Sequence, residues 1–360
     1  MAACVSTCLA ALVAQSPDQV GDFPGRPPIA SPMTFHGPGG DIKWAMDSSL
    51  PPKGPVASIV CEEFRPMVRG QTQSPTLWET VTTEFDDQQR TVNQKSKRET
   101  YETRITNTYQ GLHLVAQKNT FTENGKLNRE DSSSWTYDAK GRLIEFRHLG
   151  GTMLQDHYAN FQYDQQGRLI SVDRREGADE KLRTRMEYKY SEDTRTVEEV
   201  MYRNGERLHW QLLTFDSQGR IVQEEFRSMM TATKQLDRLS KVRFSYDSKG
   251  RPVEQVADVS ETDENLGMQG GTTTVVYDDT TRTQEFSLTK GIVTLKSTIW
   301  RDESGAIVGS ASGIKGGNAG RVEVECSRDS HGNWTECREC ATRKEKRELE
   351  RQWRRRITYR

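Results

Sequence analysis

The chain has 360 residues, of which 33% are hydrophobic and 29% charged, with a formal net charge of −1 and a mean hydropathy of −0.83. That balance gives no reason to expect nucleic acid or an anionic membrane as partner, while 7 Trp, 11 Tyr and 11 Phe exclude a disordered chain. A sheet with one buried face and one wet face reconciles high polarity with that aromatic content.

Residues 1–14 are small and apolar, too short to span a bilayer, and read as a signal peptide cleaved after Ala14, although the usual basic start is missing. Residues 15–55, "QSPDQVGDFPGRPPIASPMTFHGPGG…", are punctuated by Pro and Gly too often for a helix or interior strand and read as a linker or N-terminal arm. Residues 56–342 are expected to be one β domain, opening with a strand at "ASIVCEEF". No segment approaches 18 apolar residues, so no transmembrane segment is expected.

One unit recurs through this domain: an aromatic, Asp, two polar residues, Gly, Arg, then aliphatics. The best copies begin at Tyr137, Tyr163, Phe215 and Tyr246; weaker ones begin at Phe85, Tyr190, Tyr277, Arg301 and Arg328. Such recurrence marks a repeat architecture. Asp138, Asp164, Asp216 and Asp247 are placed to accept hydrogen bonds from the backbone ahead of them. Gly141, Gly167, Gly219 and Gly250 supply the positive φ that closes a hairpin turn. With four residues in the loop, Trp135 would face Ile144, Phe161 would face Ile170, Leu213 would face Val222 and Phe244 would face Val253. That register matches apolar with apolar on one face.

A second set of turns, "TENGKL", "RNGERL" and "NLGMQGG", carries Asn-Gly and Gly-rich signals. Asp-x-x-Gly turns at one end and these at the other give an antiparallel meander of about twenty strands, which should curl or roll up rather than lie flat. Residues 343–360 form a charged tail. Its first part offers no buried helical stripe. Its last part, "QWRRRITYR", alternates as a closing edge strand would, its arginines deterring edge-to-edge association.

Once residues 1–14 are removed, Cys61, Cys326, Cys337 and Cys340 remain, an even number that suggests two disulfides in an exported protein. Cys326 and Cys337 flank one turn and would face each other. Free thiols, or a zinc site prompted by Cys337-x-x-Cys340, are the alternatives. The six histidines have no metal-ligand spacing; His148 and His157 alone could converge through a hairpin. No nucleophile elbow, phosphate loop or dinucleotide fingerprint is present, so no catalytic residue, cofactor or metal is assigned. Exposed aromatics are the better candidates for a ligand platform, and Trp78, Trp135, Trp210 and Trp300 compete for that role.

The Tyr-Asp…Gly-Arg-Leu turns, with "DSHGNWT" at Asp329, resemble YD repeats, the units of bacterial Rhs and related wall-associated proteins. The resemblance covers roughly residues 75–340 and implies an all-β, secreted, periplasmic or cell-surface protein. The expected function is a non-enzymatic binding or scaffolding surface for carbohydrate or a cell-surface protein, with no nucleic-acid partner. A component of an Rhs-like toxin system, or an enzyme with a loop-assembled site, are the alternatives.

Overall fold

The computed structural model describes residues 53–65, 75–150, 154–176, 182–203, 205–229, 237–260, 271–290, 293–301, 303, 307–314, 320–343 and 346–360. The signal-peptide reading and most of the arm lie outside these residues. The first strands are β1 (Val56–Arg65), β2 (Thr76–Phe85), β3 (Thr91–Lys97), β4 (Tyr101–Gln110), β5 (His113–Glu123), β6 (Lys126–Tyr137), β7 (Leu143–Gly150) and β8 (Leu154–Tyr163). They continue with β9 (Leu169–Glu176), β10 (Leu182–Ser191), β11 (Thr196–Arg203), β12 (Glu206–Phe215), β13 (Ile221–Met229), β14 (Asp237–Tyr246) and β15 (Pro252–Ser260). The last are β16 (Gly271–Asp278), β17 (Thr283–Lys290), β18 (Val293–Arg301), β19 (Ile307–Ile314), β20 (Gly320–Arg328), β21 (Trp334–Arg343) and β22 (Lys346–Tyr359). There is no helix among the described residues.

Every strand pairs antiparallel with its sequence neighbours, and β22 returns to pair with β1 through Ile59↔Ile357, Cys61↔Arg355 and Glu63↔Trp353. The sheet is therefore a closed barrel of 22 strands. Closure corrects one expectation. The C-terminal segment is neither helix nor edge: β22 sits between β21 and β1, because closure satisfies the backbone groups that an edge would expose.

The Asp-x-x-Gly turns all lie at one rim, with both chain ends of the barrel. The Asn124-Gly125 turn and the other described connections that follow odd-numbered strands lie at the opposite rim.

 The first is the turn rim and the second the far rim.

The hairpins at the turn rim are tighter than the four-residue loop expected from the sequence. Gly141 N–H donates to Asp138 O (2.9 Å) and Asp138 N–H donates to Arg142 O (2.8 Å), leaving Ala139, Lys140 and Gly141 as the loop. Gly141 has φ +76°, the left-handed value that a type I turn closed by a glycine bulge requires. A second bulge follows at once. Tyr137 faces Leu143 but Thr136 faces Glu145, so Ile144 is expelled and Trp135 meets Phe146. The expected Trp135–Ile144 pairing is thus corrected, and the other copies behave alike. Tyr163 faces Leu169, Phe215 faces Ile221 and Tyr246 faces Pro252, with Ile170, Val222 and Val253 skipped. Leu213 and Phe244 then face Glu224 and Gln255 rather than Val222 and Val253. Leu143 is 2% exposed and Ile144 40%. The apolar residue that is buried is the one directly after Arg, and the added twist of paired bulges helps a flat meander curl shut.

One face of the wall is shielded and the other open. Along β4, Ile105 and Asn107 are buried while Arg104, Thr106 and Thr108 between them are exposed. In a single closed layer the side chains of the concave face converge and those of the convex face splay, so the shielded face is the interior one. Apolar residues gather there in local clusters on neighbouring strands: Val324, Trp334, Cys337 and Trp353; Leu169, Val172, Met186 and Tyr188; Leu213, Ile221 and Phe244.

Candidate functional site

The turn rim is an interlocked ladder. Asp138 Oδ1 accepts the N–H groups of Lys140 (2.8 Å) and Arg142 (2.9 Å), and its Oδ2 accepts Arg142 Nε (2.7 Å). Asp164, Asp216 and Asp247 hold Arg168, Arg220 and Arg251 in the same way. Each guanidinium then lies over the tyrosine of a later strand: Arg142 over Tyr163 (4.7 Å), Arg168 over Tyr190 (4.3 Å), Arg220 over Tyr246 (4.5 Å) and Arg251 over Tyr277 (4.1 Å). Each of those tyrosines donates its hydroxyl back to the carbonyl just after the arginine, Tyr163 to Leu143 (2.6 Å) and Tyr246 to Ile221 (2.6 Å) among them. The repeated Asp and Gly were singled out from the sequence. The roles of Arg and Tyr were not, although both recur at fixed places in the motif.

Where Gly is missing from a turn, another residue takes its backbone conformation: Gln89 at φ 61°, Arg195 at 49° and Arg282 at 54°. Gln89 has a use there, since its amide exchanges two hydrogen bonds with Val56 (3.0 and 3.1 Å) and clamps β1. At the seam, Asn333 receives Lys53 N–H (2.8 Å) and donates to Lys53 O (2.8 Å) and Tyr359 Oη (2.8 Å), while Tyr359 donates to Asp329. His331, exposed in the same turn, stacks on Tyr359 at 4.1 Å.

Electrostatics follow the ladder. The Arg142 N–H, against some desolvation and helped by the Arg142 side chain, holds the Asp138 carboxyl below its ordinary value; the Arg220 and Arg251 N–H groups do the same for Asp216 and Asp247. Burial pushes the Tyr163 and Tyr190 phenols up to about 12.

The interior wall carries polar groups that satisfy one another. Gln117 donates to Asn107 (2.9 Å), which donates to Thr91 O (2.9 Å); Gln211 donates to Glu224 (2.8 Å), whose carboxyl burial pushes up. His209 reaches Glu199 at 3.2 Å. Ser133 Oγ lies 2.9 Å from His148 Nδ1, and a Cβ built on Gly150 would come within 2.8 Å of both His148 Nε2 and Asp131 Oδ1. This is the arrangement nearest to a nucleophile–base pair, but Asp131 is engaged by Arg129 (2.8 Å). His148 and His157 do not converge. His148 shares a face with Ser133, whereas His157 is on the other face and bonds Glu145 (2.9 Å), because residues at odd spacing along a hairpin point to opposite sides.

Of the four cysteines, Cys326 and Cys337 are bonded across the β20–β21 hairpin. Cys61 and Cys340 are not disulfide-bonded, which corrects the expectation of a second bridge. Cys61 faces Arg355 on the interior side, whereas Cys340 pairs with Glu323, on the opposite side from Val324 and Cys337. The wall itself separates the two thiols. No group of three or more His, Cys, Asp or Glu among the described residues is placed to hold a metal ion.

The arginines of the tail are also engaged within the wall. Arg356 pairs with Glu62 (3.2 Å), Arg354 lies over Phe64 (5.1 Å), and Arg355 lies over Trp334 (3.5 Å).

The far rim carries the exposed aromatics, whereas the turn rim exposes the aliphatic Leu112 and Ile144. Trp78 is 45% exposed, and Leu77, Tyr101 and Leu127 are exposed beside or near it; Trp135, Trp210 and Trp300 are half-buried. Of these four tryptophans, Trp78 is the one left exposed. Arg65 lies over it at 4.8 Å and Arg98 at 5.7 Å.

No family model and no curated protein matches the chain. Among solved structures it is similar to a porin-like protein from Bacteroides uniformis, with TM-score 0.31 and 9% identity over 85% of this chain and 98% of that one. It is also similar to TcdB2-TccC3 in complex with Cdc42 (TM-score 0.29, 9% identity, 79% of this chain). A third likeness is to TcdB2-TccC3 without its hypervariable C-terminal region (TM-score 0.14, 9% identity, 79% of this chain). The chain spans 17% and 22% of the length of those two. These likenesses are loose, and the fold rests on the strand pairing itself.

Proposed function

We propose that this chain is a secreted or envelope-associated barrel of YD-repeat type, from a bacterium, that works as a binding or scaffolding surface rather than as a catalyst. The observation that carries the reading is how the wall uses its ionisable groups. At the turn rim they hold the turns together, on the interior wall they bond one another, and the surface left over for a ligand is the aromatic far rim.

The wall is also suited to water on its outside. Membrane barrels carry an outward apolar band. Here the open face of β2 to β5 carries Thr80, Thr82, Lys95, Arg104 and Lys118, and the shielded face carries Glu63 (3% exposed) and Glu79 (7% exposed) below the far rim. Neither face suits hydrocarbon. The Cys326–Cys337 disulfide supports an oxidising compartment.

The test is a pull-down from envelope and secreted fractions, together with a glycan array, using the full chain. Saturable retention of a protein or glycan is the expected result. A chain that retains nothing in either assay, or that turns over ester, glycoside or phosphate substrates, would overturn the reading.

A further inference from the structure

We infer that the interior wall at β5 to β8 binds a small planar aromatic molecule carrying a hydroxyl group, at a site separate from the exposed aromatics of the far rim. Pairing puts its residues on one face, because direct cross-strand partners point to the same side. Asn107 of the shielded face pairs with Gln117, Gln117 with Ser133 and Ser133 with His148; in the next row, Trp135 pairs with Phe146 and Phe146 with Tyr158. The rings make a continuous apolar band. Centroids of Trp135 and Phe146 are 5.2 Å apart and those of Phe146 and Tyr158 5.8 Å, and Arg174 lies over Tyr158 at 5.5 Å. Leu143 and Leu169 on this face are 2% and 0% exposed, whereas the three rings are half-buried, which leaves ring surface open to the barrel interior.

Beside the band, a missing side chain makes a notch. Gly150 pairs with Asp131, and a Cβ on Gly150 would stand 2.8 Å from both Asp131 Oδ1 and His148 Nε2. Those two atoms are therefore close enough for one ligand oxygen to bridge them. Ser133 Oγ lies 2.9 Å from His148 Nδ1, and the Asp131 carboxylate on the other side favours the tautomer with its proton on Nε2. Nε2 then has a proton to donate and no hydrogen-bond partner among the described residues. Asp131 keeps lone pairs beyond those that Arg129 uses (2.8 Å), and Asn119 Oδ1, on the residue paired with Asp131, is a buried acceptor without a donor among the described residues. The notch thus offers one donor and a surplus of acceptors. That balance selects the ligand. A hydroxyl both gives and receives there, an ether only receives, and a carboxylate would meet the charge of Asp131. His148 follows Phe146 by two residues, about 7 Å, so a body of two fused rings reaches from the band into the notch.

The experiment is equilibrium dialysis of the full chain against 2-naphthol, against 2-methoxynaphthalene, which lacks the donor, and against 2-naphthoate, which adds a charge. Saturable binding of 2-naphthol is expected, with the other two about tenfold weaker or more, as loss of a hydrogen bond to a charged group implies. Gly150→Ala fills the notch and should bring 2-naphthol down to the level of 2-methoxynaphthalene, while Trp135→Ala should weaken both. The added methyl meets only side-chain ends, so the far-UV spectrum of the parent should persist; if it does not, Asp131→Asn takes its place with the same expected loss. No binding of 2-naphthol, equal binding of all three probes, or binding indifferent to both the notch variant and Trp135→Ala would each overturn the site. The pull-down and glycan array above read a different surface, so either reading can fail while the other stands.

Discussion

The turn rim and the far rim are built from the same strands but spend their side chains differently. At the turn rim, Asp, Arg and Tyr of successive copies bond one another, so that each hairpin is braced by the next. At the far rim, Trp78, Tyr101 and Leu127 stay exposed. The contrast teaches that repetition here serves closure. The motif recurs where the barrel must be held in register, and the copies diverge where a surface is left for something else.

If the turn rim is the structural end, breaking it should cost far more than equal changes opposite. The largest effect is expected from Cys326→Ser with Cys337→Ser, which opens a loop of sequence separation 11 beside the seam. About 3 kcal/mol of stability should be lost in urea unfolding on loop entropy alone, and an unchanged midpoint would show that the hairpin needs no bridge.

Next comes pH. The carboxyls of Asp138, Asp216 and Asp247 are depressed in the folded state, so their stabilisation is present above the ordinary carboxylate range, about 4, and is lost as pH falls below it. The Tyr163 and Tyr190 phenols are raised, so their contribution is present below about 10 and is lost as pH climbs towards 12. Melting temperature should therefore hold a plateau between these limits and fall on both sides; a Tyr163→Phe, Tyr190→Phe double variant should flatten the alkaline fall.

Tyr163→Phe alone removes the hydroxyl bonded to Leu143 O and should cost about 1 kcal/mol. The smallest effect is expected at the far rim, where Leu127→Ser at a 61% exposed position should stay within about 0.5 kcal/mol. A larger loss there, measured by the same unfolding curves, would erase the distinction between the rims.

Much of the plan was legible before any coordinates. Asp138 and Gly141 announced the hairpins, their spacing announced an antiparallel meander, and the "RDSHGNW" turn placed Cys326 opposite Cys337. The register was legible only in kind. Pairing apolar with apolar argued for a four-residue loop, whereas the chain makes a three-residue loop and then a bulge at Ile144, which a pattern of residue types does not reveal. The candidate site was less legible still, because exposure of Trp78 over Trp135, Trp210 or Trp300 depends on which rim and which bulge each residue occupies.

The sequence by itself determined the local devices: which residues turn, which alternate, and which end of the meander each kind of turn occupies. Those follow from backbone preference and side-chain hydrogen bonds within a few residues. Only the tertiary structure decided that β22 meets β1, that Cys61 and Cys340 lie on opposite sides of one wall, and that arginine from one turn braces tyrosine from a later strand. These contacts join residues about twenty to three hundred positions apart, and their geometry is set by the accumulated twist and bulges of the strands between them.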